Sequence, residues 1–380
     1  MQFATIEEAI AEIQEGRMVI IVDDEDRENE GDLMVAAEKV TPEAINFMAT
    51  FGRGLICLAM TGQRLDELHI PLMVSDHSNT SPYGTAFCVS IEARRNVSTG
   101  ISAFDRAQTI LTAIDPKTRA ADLARPGHIF PLRARDGGVL VRAGQTEASV
   151  DLAGIAGLTP AGVICEIMKE DGTMARVPDL IEFAGQRNLK IITVADLIRY
   201  RLRTERFVHK VGETTLPTRH GDFRMVAFES ILDQESHIAL VCGNIENGED
   251  ILVRVQTHCL TGHVFGSRAC HCHEQMDGAM ELIAKEGRGV LLYLHEMGRS
   301  RAASALLEYH GKQGGDSNET IGLRGEQREY GIGAQILSAL KIHSMRILTN
   351  HPRKLVALEA YGLKIITQVP LTTRISQPQI

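Results

Sequence analysis

The 380 residues are 44% hydrophobic and 23% charged with a formal net charge of −9, an ordinary balance for a globular protein. That charge argues against a nucleic-acid partner, and no apolar run approaches the ~20 residues of a membrane span. The opening Met1-Gln2-Phe3-Ala4-Thr5-Ile6 has neither the basic nor the apolar region of an export signal, so a cytoplasmic protein is expected. The length suggests two domains of roughly 150–200 residues. Thr5 and Glu8 have the spacing of a capping box, predicting a short helix with Ile6, Ala9, Ile10 and Ile13 inward, ended by Gly16. Met18 to Val22 then reads as a buried strand.

Directly after that strand, residues 23–32 hold seven carboxylates around a single basic group, Arg27. Such a loop repels itself unless water, a cation or a basic group intervenes. A hard divalent cation such as Mg²⁺ suits it, held by one or two carboxylates and by substrate oxygens. A solvated acidic turn is the plainer alternative. Leu33 to Ala37 reads as a second strand, Thr41-Pro42-Glu43 as a helix start, and Gly54 to Met60 as another buried strand. This alternation points to a layered α/β or α+β domain.

Two polar stretches follow, Asn79 to Phe87 and Ser98 to Arg106. The second ends in Asp105-Arg106 before a helix over Ala107 to Leu111, the kind of N-terminus that receives an anion. Pro126-Gly127-His128-Ile129-Phe130-Pro131 sets His128 in a loop between prolines. Val139-Leu140-Val141 reads as a strand leading through Arg142-Ala143-Gly144-Gln145-Thr146-Glu147 into a helix, where Arg142 and free N–H groups would suit a phosphate. Gly162 to Ile167 places one carboxylate, Glu166, within an apolar strand, and a glutamate in such a run is seldom buried without a partner.

These motifs resemble 3,4-dihydroxy-2-butanone 4-phosphate synthase in order and spacing over the first 200 residues. They are Asp26 to Asp32, Ser98 to Arg106, Gly127 to Pro131 and Arg142 to Glu147. The resemblance implies conversion of ribulose 5-phosphate to a four-carbon phosphate and formate, with Mg²⁺ or Mn²⁺. It implies that Glu28 ligates the metal, that Arg27 and Asp32 contact substrate, and that Arg142 to Thr146, with Glu166, bind the sugar phosphate. His128 and Glu166 match residues required for the chemistry. Proton removal beside a ketone needs a base and a cation near the developing charge, and Asp32 or Glu166 could be that base. One departure is Gln145, where the family usually has a metal-binding histidine; a Gln oxygen is an acceptable Mg²⁺ ligand.

Ile198 to Arg206 is a charge-rich helix end and the expected short linker, giving domains 1–204 and 205–380, each a layered αβ unit. Residues 207–255 turn strand-like, with hairpins or an antiparallel sheet expected. Cys259, Cys270 and Cys272 then form a Cys-x10-Cys-x-Cys cluster, the donor set of a zinc site with an open fourth position. His258, His263, His271 and His273 lie close by, so a closed Cys₃His site is the alternative.

From about Ile238 to Leu371 the chain is similar to GTP cyclohydrolase II. The matching positions are Arg254, the three cysteines, Gln275, Arg299, Arg328, Thr349 and Lys354, with Glu326 where the family has an aspartate base. The resemblance implies that zinc-bound water attacks guanine and that an arginine at Arg328 attacks the α-phosphate. Departures cluster on the site. The family's His-Ser-Glu is Gln256-Thr257-His258, an arginine is Ala269, its Glu-Gly-Arg is Met297-Gly298-Arg299, and Ser300-Arg301-Ala302-Ala303 replaces a glycine-rich run. The expectation is an active synthase half with a cyclohydrolase-like half of altered or lost catalysis. A fully bifunctional enzyme and a zinc-stabilised regulatory or interaction module are the rivals. Phosphorylated small molecules are the expected partners, and the family resemblance implies a homodimer.

Overall fold

The computed structural model describes residues 3–24, 27–75, 78–231, 235–268, 270–295, 323–350 and 363–371; for 323–330 only the backbone is described. The chain divides into two compact units, Met1–Arg201 and Leu202–Ile380.

In the first unit, α1 (Ile6–Gln14) begins with the expected capping box: Thr5 Oγ1 accepts the Glu8 N–H and Glu8 answers to the Thr5 N–H. The strands are β1 (Val19–Val22), β2 (Gly31–Ala36), β3 (Cys57–Thr61), β4 (Ile91–Ala93), β5 (Leu123–Ala134), β6 (Ala161–Glu166) and β7 (Lys190–Thr193). The helices are α2 (Pro42–Phe47), α3 (Gly62–Glu67), α4 (Ala103–Ile114), α5 (Gln145–Ile155), α6 (Val177–Arg187) and α7 (Val194–Thr204). Among the described residues they build one mixed sheet in the order β4-β5-β3-β6-β2-β1-β7. Val19 to Val22 are buried throughout because β1 lies inside the sheet between β2 and β7, as a continuous β-branched run demands. Helix α5 packs across this sheet and buries Gln145 to Val150 without a break, so its polar residues need partners inside the protein.

Three local expectations are corrected. His128 is in a strand, not a loop: β5 runs through Pro126 and Pro131, whose fixed φ fits an extended chain, and its pairing with β4 shifts register between Ile91 and Glu92. Val139 and Leu140 form a 3₁₀ turn over Gly138–Leu140, since the preceding glycines turn the chain at positive φ. Helix α4 starts at Ala103, where the Ser102 hydroxyl caps the Asp105 N–H.

In the second unit, β8 (Val208–Thr218), β9 (Gly221–Ser230) and β10 (Ser236–Cys242) form an antiparallel meander. It is continued by β11 (Ile251–Thr257), α8 (Cys272–Glu286), β12 (Gly289–Leu294), α9 (Leu323–Ala339), β13 (Ser344–Leu348) and β14 (Lys364–Val369). The sheet order is β14-β13-β11-β12-β10-β9-β8 among the described residues. The antiparallel expectation for 207–255 therefore holds as far as β10. Strand β11 lies parallel between β12 and β13, with helices joining the parallel strands.

Candidate functional sites

Pairing of Val22 with Gly31 ends the β1–β2 ladder, and the described residues 23–24 and 27–30 lie beyond these strand ends. The hub of this loop is Asp23, which the sequence reading passed over. The buried Asp23 carboxylate accepts Arg27 Nη1 at 2.6 Å, the Glu28 N–H at 3.2 Å and the Glu30 N–H at 3.0 Å. Arg27 is also buried. Its guanidinium reaches Glu28 Oε1 at 2.8 Å and Gln145 Oε1 at 2.8 Å, and lies 5.2 Å from the centre of the Tyr83 ring. Arg176 fastens the loop from outside by donating to the Glu28 and Asn29 carbonyls.

Next to this loop, Asp32 and Glu166 are directly opposed residues of β2 and β6. Burial, and then the facing Glu166 and Glu28 carboxylates, push the Asp32 carboxyl well above the usual carboxylate range. Burial raises Glu28 and Glu30 as well. Glu166 Oε2 accepts the Leu55 N–H at 2.8 Å.

The group therefore carries more carboxylate than cation, and these donors fit a hard divalent ion completed by water and substrate oxygens. They do not form a closed cage: among the described residues the cysteine trio alone gathers three converging ligand atoms of the His, Cys, Asp and Glu types. Gln145 is 3% exposed, gives its oxygen to Arg27 and leaves its amide nitrogen without a partner.

Gly144 is the N-cap of α5 and no side chain caps the helix there, so its first-turn N–H groups lack a side-chain acceptor at the cap. Ala143 precedes it, and Thr146 lies buried in the first turn. Arg142 is less free than the sequence suggested. Its guanidinium donates to Glu147 at 2.6 Å, to Thr85 Oγ1 at 3.0 Å and to the Tyr83 carbonyl. At the α4 start the Ser102 hydroxyl accepts the Asp105 N–H, while the Asp105 carboxylate accepts the Ser98 and Gly100 N–H groups of the preceding loop. His128 is partnered by Glu92, not by a carboxylate of the acidic loop.

In the second unit the Sγ atoms of Cys259, Cys270 and Cys272 lie within 4.8 Å of one another. A Cβ at Gly262 would stand 2.7 Å from Cys270 Sγ, so the loop between the cysteines needs glycine to close on them. Among the described residues no histidine joins the three. His263 uses both ring nitrogens on the loop, Nδ1 toward the Cys259 N–H and Tyr293 hydroxyl, and Nε2 toward the Cys272 carbonyl. Beneath them Arg254, in β11, is buried with neutral acceptors: Gln256 Oε1, Gln275 Oε1 and the Leu348 carbonyl. Burial pushes its guanidinium down to about 10. Arg254, Gln275 and the β13 end leading to Thr349 are thus brought together. Ala269, Met297, Arg299 and Lys354 lie outside the described residues, and the side chains of Glu326 and Arg328 in α9 are not described. No helix among the described residues is long and apolar enough to cross a membrane.

The family model of 3,4-dihydroxy-2-butanone 4-phosphate synthase matches residues 7–200, and that of GTP cyclohydrolase II matches residues 209–370. The chain is 55% identical over 378 residues to riboflavin biosynthesis protein RibBA of Aquifex aeolicus, covering 97% of this chain and 93% of that protein. Its fold is similar to the crystal structure of RibBX, a two-domain 3,4-dihydroxy-2-butanone 4-phosphate synthase from A. baumannii. That match has a TM-score of 0.78 and 38% identity, over 96% of this chain and 99% of the other. A 3,4-dihydroxy-2-butanone 4-phosphate synthase solved with two magnesium ions matches with a TM-score of 0.51 and 40% identity, over 53% of this chain and 98% of its own. The chain belongs to the riboflavin biosynthesis family that joins a 3,4-dihydroxy-2-butanone 4-phosphate synthase domain to a GTP cyclohydrolase II domain.

Proposed function

We propose that the first unit converts ribulose 5-phosphate to 3,4-dihydroxy-2-butanone 4-phosphate and formate. The observation that carries this reading is the Asp32–Glu166 pair beside the Arg27–Glu28 loop, two opposed carboxylates of which Asp32 is buried and pushed toward its protonated form. Asp32 holds a proton it can donate to a substrate oxygen. Glu166, which accepts the Leu55 N–H, would take a proton from the carbon or hydroxyl beside the ketone. Arg27 holds Glu28 in place, and Glu28 would hold Mg²⁺ or Mn²⁺ with substrate oxygens completing its shell. When bound, the cation supplies positive charge beside the substrate's ketone and hydroxyl oxygens. The uncapped α5 N-terminus, with Arg142 and Thr146, would receive the phosphate.

For the second unit, the three converging thiols support zinc, and Arg254, buried without a carboxylate partner among the described residues, supports an anionic ligand. Altered or lost GTP turnover is our reading of that unit. Three free thiols gathered for a metal fit a reducing compartment, and we place the protein in the cytoplasm. Exposed Leu55, Ile101 and Phe104 on the first unit support a homodimer. Supplying ribulose 5-phosphate and GTP separately, and following formate, tests the division of labour. No formate from the sugar phosphate in the presence of Mg²⁺ would sink the synthase reading.

A further inference from the structure

The His128 imidazole is held by a carboxylate outside the acidic loop. Glu92 of β4 places Oε2 2.5 Å from His128 Nδ1 and accepts the His128 backbone N–H with the same oxygen at 3.2 Å. Its other oxygen accepts the hydroxyl of Thr109 in α4 at 2.8 Å, and that hydroxyl takes up the Ala93 N–H at 3.1 Å. The Glu92 side chain is 13% exposed and that of His128 42%, so the carboxylate lies inside and the ring faces outward. A carboxylate against Nδ1 makes that nitrogen the donor and leaves Nε2 free.

The Ser98–Asp105 stretch closes over this pair. Asp105 accepts the Ser98 hydroxyl and the Ser98 and Gly100 N–H groups, which lays Gly100 flat at φ +96°. A Cβ on Gly100 would come within 2.0 Å of Glu92 Oε2 and 2.5 Å of His128 Nδ1. An ion pair this exposed on one side adds little to stability. Strand β4, strand β5, helix α4 and the Gly100 turn nevertheless converge on a single imidazole nitrogen.

We propose that Glu92, backed by Thr109, is a positioning residue that fixes the His128 tautomer and aims Nε2 at the substrate. The proposal rests on the family resemblance, which makes His128 a residue required for the chemistry of the first unit, and takes that role to be proton transfer. When Nε2 takes a proton from a substrate C–H or O–H bond, the positive charge forms beside Glu92, and the same proton is later returned to a product oxygen or carbon. The proton alone changes hands at this residue.

The test compares full-length wild type with Glu92→Gln, Glu92→Asp, Thr109→Val and His128→Gln, using ribulose 5-phosphate kinetics, thermal melts and ¹⁵N spectra of the histidine ring. Glu92→Gln is expected to lower kcat by roughly 10²-fold or more, as loss of a tautomer-fixing carboxylate does, with KM within about threefold. Glu92→Asp should restore part of that loss. The ring proton of His128 should move from Nδ1 to Nε2 in Glu92→Gln. Should Glu92→Gln fail to fold, Thr109→Val carries the test with a smaller fall in kcat. Wild-type kcat in the folded Glu92 and Thr109 variants, with His128→Gln inactive, overturns the positioning role. Undiminished turnover by His128→Gln overturns the reading of His128, and the proposal with it.

Discussion

Asp32 and Glu166 face each other across the antiparallel β2–β6 ladder, so two carboxylates share one cross-strand pair. Like charges so placed repel. Burial, and then Glu166, raise the Asp32 carboxyl well above 3.8 in the folded protein. The folded state therefore holds this proton more tightly than the unfolded chain. The resulting stabilisation is complete below the ordinary carboxylate value and is lost as pH rises through the raised one. Asp32→Asn should thus keep a flatter melting temperature over that window. Above that window it should melt at a higher temperature than wild type. Its sugar-phosphate turnover should fall by roughly 10²-fold or more. Parallel melting curves for variant and wild type across the window would remove Asp32 as the proton holder.

The α1 capping box, the β1 run and Glu166 at the end of β6 were legible because each depends on neighbours in sequence. Glu92 is likewise a carboxylate in a strand between apolar residues, in β4, and the sequence reading does not single it out. Arg142 is expected from sequence to bind phosphate, whereas its partners Glu147 and Thr85 come from a helix turn and a distant loop that sequence does not bring together. Asp23 looked like one carboxylate among seven. Only the folded loop singles it out as the acceptor of three donors. Local pattern reveals an element; which of several like charges becomes its hub is decided by tertiary contact.

Metal dependence should reside on Glu28. Chelator should abolish formate release from ribulose 5-phosphate, Mg²⁺ or Mn²⁺ should restore it, and Glu28→Ala should be severely impaired. Gln145 gives its oxygen to Arg27. Gln145→Ala should therefore leave Mn²⁺ affinity, measured by titration calorimetry, within about threefold of wild type. It should cost stability of about 1–3 kcal/mol by leaving a buried Arg27 donor unpaired. Mn²⁺ binding weakened tenfold or more would instead put Gln145 among the ligands. Gln145→His, which adds a nitrogen donor, should tighten the metal.

Zinc content offers an independent check on the second unit. Three thiols converge and His263 is committed elsewhere, so about one zinc per chain is expected with water in the fourth position. Cys270→Ser should lose the metal and lower the melting transition of the second unit, while sugar-phosphate turnover stays near wild type. Metal-free protein whose second unit melts at the same temperature would count against a zinc role in folding.

GTP turnover should be poor or absent, and the reason lies around Arg254. Its inward donors already serve Gln256, Gln275 and the Leu348 carbonyl. His258 stands where the family resemblance calls for a carboxylate. Its Nδ1 is bound to the Tyr293 hydroxyl at 2.8 Å and its ring stacks on His295 at 4.9 Å, so it offers no negative charge to guanine. Burial also lowers the pKa of His258. Each guanine N–H left without an acceptor in a closed pocket costs roughly 1–3 kcal/mol. Selectivity that depends on such contacts falls by orders of magnitude when they are lost. The expected rate of formate release from GTP is at least ~10²-fold below that from ribulose 5-phosphate, in zinc-replete protein and the same buffer. A phosphate-bearing nucleotide should still bind, because Arg254 is buried without a carboxylate partner among the described residues, and Arg254→Met should abolish that binding in calorimetry. Comparable formate release from the two substrates would establish full bifunctionality and end the altered-site reading.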